Sequence, residues 1–162
     1  MCSSDLIWAL VQTGQFQEAR KAMFRNAARF KAFAGTIAQI KIEWARASID
    51  AGLGAFPSAE TGFLKARRGL EAAGMGFATA LISLELSLLH LRQNRVGDAR
   101  KEATGAAKVF RRLGVHRELL VALGVVQRSF ELGIATVPLL ESAVEYARRA
   151  EHDPGLRFEP RF

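Results

Sequence analysis

The feature that most constrains this chain is a recurrence of turn signals every 40 residues. Gly14 stands two residues before Phe16, Gly54 two before Phe56 and Asn94 two before Val96, and Gly133 shortly precedes Thr136; the four residues that follow these turns are each 40 apart. Ala19, Ala59 and Ala99 keep the same step. Half a period out of phase, Gly35, Gly74 and Gly114 each close a run of helix formers, where a glycine in the left-handed conformation can stop a helix. Between the turns apolar residues recur at three- and four-residue spacing, as in Leu81, Leu84, Leu88 and Leu91, and there is no sustained period-two alternation. The pattern predicts an all-α chain with helices near 6–13, 16–34, 37–52, 57–73, 77–93, 97–113, 116–132 and 136–151, bounds good to about two to four residues. Pro57 and Pro138 each fall in a first helical turn, where the missing N–H costs nothing.

An isolated helix pair cannot bury its apolar face, so about four such pairs are expected to stack over residues 7–151, with 152–162 as a C-terminal tail. At 162 residues, 49% hydrophobic and 24% charged, the chain is long and apolar enough to hold a core without disulfides or a structural metal. It lacks the long uncharged run that spans a bilayer. Cys2 is the only cysteine, so neither an intrachain disulfide nor a cysteine-based zinc site can form, and a reducing compartment fits. No signal peptide is evident before Gln17, and a cytoplasmic location is expected. The opening Met1-Cys2-Ser3-Ser4-Asp5-Leu6 reads either as the translation of a sequencing-library adapter, in which case residues 1–6 are non-native, or as a capping segment in which Ser4 or Asp5 accepts from free backbone amides.

Gly54-Ala55-Phe56 followed by Ala59, Phe63 and Ala66 resembles the second half of a tetratricopeptide repeat, as do Gly14-Gln15-Phe16 with Ala19 and Asn94-Arg95-Val96 with Ala99, Ala103 and Ala106. In the first helices Leu86-Ser87 with His90 keeps the family's apolar-small-aromatic spacing, and Val126 with Phe130 keeps part of it; Arg46 and Asp50 depart from it. The period is also longer than the family's usual 34 residues. The resemblance implies a short right-handed α-solenoid, with first helices lining a concave groove and second helices forming the outer surface. It points Lys41, Trp44, Ser48, Leu81, Leu84, Leu88 and Arg128 toward that groove, as contacts for a protein or peptide partner. The three leucines also fit a core, buried by curvature against neighbouring helices. The stretches 110–118 and 149–154 look similar to the C-terminal tails of large bacterial regulatory proteins that carry such repeats, which implies a module belonging to a longer regulator.

Catalytic chemistry is thin. There is no HExxH, GxSxG or Walker loop, and Gly52-Leu53-Gly54 and Gly74-Met75-Gly76 read as helix-to-helix turns because no strand precedes them. His90, His116 and His152 lie in different repeats with no i, i+4 pairing, so no metal or other cofactor is expected. His90 is expected to pack in the core and His116 to cap a helix. His152-Asp153-Pro154 stops the last helix, and Leu156 and Phe158 either fold back over the end of the stack or belong to a disordered tail.

The formal charge is +7, from 23 basic and 16 acidic residues. The second helices of the first three pairs hold 13 basic residues against five acidic, and the first helices are near neutral, so the basic surface should lie outside. Such a surface can attract nucleic acid. Against that, no aromatics are expected to interleave the basic clusters as base-stacking platforms would, and Tyr146 is the only tyrosine. The reading that follows is a non-enzymatic interaction scaffold. Its alternative is a sensor domain whose groove binds a small molecule or peptide and thereby controls an attached regulator.

Overall fold

The marked turns close their helices by one backbone device. In the computed structural model, which describes residues 3–162, Gly14, Gly54 and Asn94 have φ of 73°, 80° and 58°, and the amide of the next residue donates five residues back. These bonds are Gln15 N to Leu10 O at 2.9 Å, Ala55 N to Asp50 O at 2.8 Å and Arg95 N to His90 O at 2.9 Å. The 40-residue step is thus present in the backbone itself; at the following turn Ile134 N donates to Ser129 O, one residue short of it. Asn94 shows why the third turn dispenses with glycine, since asparagine tolerates the left-handed region better than other side chains. Side chains cap the starts of several helices: Thr36 and Thr136 through Oγ1 and His116 through Nδ1 accept from the Gln39, Leu139 and Leu119 amides. Met1 and Cys2 of the opening segment lie outside the described residues.

The described residues are helical, with no strand: α1 (Ser3–Gln12), α2 (Phe16–Arg25), α3 (Ala27–Phe30) with a 3-10 turn at Lys31–Phe33, α4 (Ile37–Gly52), α5 (Phe56–Ala72), α6 (Gly76–Arg92), α7 (Val96–Arg112), α8 (Arg117–Glu131) and α9 (Val137–Ala150). The helix expected over 16–34 is broken. Asn26 leaves helical geometry at φ −100° and ψ 4°, and its side-chain amide donates to Ala22 O at 2.8 Å. The side chain shares this carbonyl with the Asn26 backbone amide, which reaches it at 3.2 Å, and α2 ends there. The chain forms two compact units, Met1–Gly74 and Met75–Phe162.

In the first unit α1 pairs with α2, α4 packs against both, and α5 pairs with α4. Ile7, Val11, Ala22, Met23, Phe30, Ile42 and Ile49 make a core shared by α1, α2, α3 and α4. Small residues set how closely the helices approach. A Cβ on Gly62 of α5 would stand 2.8 Å from Ala47 Cβ of α4, and one on Gly52 would stand 2.4 Å from the Phe16 ring. Ala59 and Ala66 on the same seam are fully buried.

In the second unit α6 pairs with α7, α7 packs on α8, α8 on α9, and α9 returns to α6. Every residue from Ala80 to His90 is buried, which explains why α6 lacks a polar face. The return of α9 differs from simple side-by-side addition of hairpins. It places Arg148 against Glu85 and Arg92 against Glu141 at 2.8 Å, pairs seven residues apart in opposite directions, so the two helices run antiparallel. The tail folds back on this unit: Tyr146 Oη donates to Leu156 O at 3.1 Å, the Phe158 ring lies 5.4 Å from that of Tyr146 at a 60° tilt, and Arg161 pairs with Glu145 at 2.7 Å.

Candidate partner-binding surface

The residues that the sequence pointed toward a groove do not form one open surface. Trp44 and Ser48 are buried in the first unit, where Trp44 meets Trp8 edge-on at 5.2 Å. Leu81, Leu84 and Leu88 are buried in the second unit on α6. These five carry packing, and the leucine row is core because the whole of α6 from residue 80 to 90 is enclosed. Lys41 and Arg128 are exposed, in different units, and Arg128 is held by Glu131 at 2.9 Å.

The open surface lies instead on α2 and continues onto α4 and α5. Ala19, Ala22 and Met23 turn inward on α2, which leaves Arg20, Lys21, Phe24 and Arg25 on the outer side. Phe24 is 83% exposed, the most exposed large apolar side chain among the described residues. Full burial of such a ring is worth about 1.5–3 kcal/mol relative to leaving it in water. Two adjoining cavities, of about 440 and 250 Å3, share Arg20 and Phe24 as walls, and the smaller reaches across to Arg46, Ile49 and Asp50 of α4. From Arg46 and Asp50 a third, of about 460 Å3, runs between α4 and α5 to Thr61 and Lys65.

The two ends of this surface differ in chemistry. Between α4 and α5 the polar groups answer one another: Lys65 Nζ binds Glu43 Oε1 at 2.8 Å, and Ser58 Oγ donates to Asp50 Oδ2 at 2.6 Å. Around Phe24 the charges are positive and largely unanswered. Arg20 donates to the amide oxygen of Gln17 at 2.9 Å, and Lys21 pairs with Glu18 at 3.0 Å with both side chains more than half exposed. Arg25 and Arg46 have no carboxylate partner among the described residues.

Of the 13 basic residues that the sequence assigned to the second helices of the pairs, all but Arg67 are exposed, as are Lys41, Arg46, Arg117 and Arg128 of the first helices. The expectation that no aromatic stands among them is corrected by Phe24, whose apolar character and helical spacing in sequence suit a core position equally well. His90 is buried, with Nδ1 unpartnered, and His116 caps α8 through Nδ1 while its Nε2 is buried without a partner. His152 is exposed beside Glu151. Among the described residues no three potential ligand side chains gather to hold a metal, and no helix is long and apolar enough to cross a membrane.

Sequence reasoning missed the Glu85–Arg148 pair. Glu85 is 4% exposed and is the only carboxylate in α6, which was the available signal. Burial pushes the Arg148 guanidinium down to about 10, so it stays charged at neutral pH. Because these groups are closed within packed helices, they hold the second unit together and offer nothing to a ligand. No family model, no curated protein and no solved structure gives a significant match to this chain.

Proposed function

We propose that the chain is a non-enzymatic protein-interaction scaffold, a module of a larger bacterial regulatory protein in the cytoplasm, which binds through the surface running from α2 to α5. The observation that carries this reading is Phe24, a large apolar ring kept in water at the meeting of two cavities and ringed by cations. Folding alone gives no return for that placement, whereas a partner that covers the ring gains apolar burial. The tetratricopeptide-like stacking belongs to the same proposal. It is supported by the recurring closing turns and by the packing of α4 on both α1 and α2, and the return of α9 onto α6 departs from it.

The alternative, a sensor for a small molecule, finds its best site in the polar cleft between α4 and α5. There Glu43–Lys65 and Ser58–Asp50 already answer one another, which leaves Arg46 as the one lining charge without a carboxylate partner among the described residues. Selection of a random peptide library on the intact chain, with thermal melting against a panel of metabolites, separates the two. The scaffold reading expects enriched peptides whose binding is lost in Phe24→Ser; melting raised by a metabolite, with no peptide enriched, would favour the sensor.

A further inference from the structure

The geometry points to a definite class of partner: we propose that the Phe24 face of α2 docks an acidic amphipathic helix, an inference that rests on the scaffold reading above. Three observations converge. The ring is 83% exposed and is a shared wall of two adjoining open recesses, so apolar side chains can pack against it. Arg20 and Lys21 lie one turn before it, Arg25 beside it and Arg46 across the smaller cavity. The only carboxylate lining those two cavities is Asp50, which already accepts from Ser58.

The missing complement is therefore negative and apolar together. A partner helix supplies both at the right interval, because residues three and four apart share a face: a leucine or phenylalanine against Phe24, with glutamates a turn away to either side reaching Arg20, Arg25 and Arg46. Carboxylates meeting the arginines gain charge-assisted hydrogen bonds as well as orientation. A nucleic acid fits less well, since one exposed ring is a single stacking platform and a phosphate chain continuing along the surface would meet Asp50 and Glu43. A lipid surface presents a plane, and the two recesses beside the ring would stay unfilled against it.

The test uses fluorescence anisotropy with the intact chain and four probes. These are a labelled helical peptide of about 18 residues, or five turns, with leucine on one face and glutamate on the other; the same peptide with glutamine for glutamate; labelled dodecathymidine; and vesicles of phosphatidylserine and phosphatidylcholine. The glutamate peptide is expected to bind at low salt and to weaken as salt rises. Phe24→Ser should weaken it about tenfold, Arg25→Gln about threefold, and Arg112→Gln on α7 not at all. Phe24 and Arg25 are exposed, so unchanged melting of both variants shows that they are folded.

Equal binding of the glutamine peptide, glutamate-peptide binding that ignores Phe24→Ser, no binding of the glutamate peptide, or binding of the oligonucleotide or vesicles in its place would each overturn the proposal. The two failures are separable. If library selection enriches neutral or basic peptides that still require Phe24, the acidic class falls and the scaffold reading stands; if no peptide is enriched, both fall.

Discussion

Gly62 and Gly105 both sit inside helices and should answer the same substitution in opposite directions. Glycine to alanine in a helix interior gains about 0.8–1.0 kcal/mol of propensity. At Gly105 the new methyl meets open space, so Gly105→Ala should raise stability by about that amount. At Gly62 the methyl would stand 2.8 Å from Ala47 Cβ, which has no rotamer to move, and overpacking costs about 1–3 kcal/mol. The second effect wins, and Gly62→Ala should lower the urea midpoint; a rise there would show that α4 and α5 are not packed this closely. Ala59→Arg on the same seam should do more damage, since a long charged side chain must enter a fully buried site. Residues of this kind were legible in the sequence, because small residues at a fixed step have few other uses. Phe24 was not, because nothing in its composition or spacing tells an inward ring from an outward one until the break at Asn26 and the facing of Ala22 and Met23 are known.

At the scale of elements, the bounds of α4 to α9 follow the turn signals closely, since glycine, proline and asparagine act through their own backbone restrictions. The contacts between elements were less readable. α6 and α9 are joined by Glu85–Arg148 and Arg92–Glu141, and only the lone carboxylate of an apolar helix hinted at the first. Removing one partner of a buried pair leaves the other charge unanswered, so Glu85→Ala should cost about 3–5 kcal/mol, while Glu85→Leu with Arg148→Met should recover most of it. Arg92→Ala, at a half-exposed pair, should cost about 1 kcal/mol or less. Equal losses in the denaturation of all three variants would contradict the placement of α9.

The C-terminal tail makes a separate prediction through Tyr146, whose phenol is held above its ordinary pKa of 10.0 by burial first and then by Glu118 and Asp153. The neutral phenol donates to Leu156 O, so this contribution to stability is fully present below pH 10 and is lost as pH rises through the raised value. As the only tyrosine, Tyr146 can be followed by its own absorbance. Its titration midpoint should lie above the ordinary value and fall toward it when residues 156–162 are deleted; an unchanged midpoint would mean that the tail does not cover the ring.

For the whole molecule, the all-helical class was plain from periodicity, whereas the division at Gly74 was hidden. That division depends on which helices find each other across long sequence separations, and the evenly spaced turns are the same on both sides of it. The functional consequence is that the open, cation-ringed surface belongs to Met1–Gly74, while the second unit spends its unusual residues on internal pairs and on its own tail. The most direct measurement is hydrogen–deuterium exchange of the intact chain with and without a library-selected peptide. Protection confined to α2 and to the 43–52 stretch of α4 is the expected result; protection confined to residues 75–162, or none anywhere, would contradict the account.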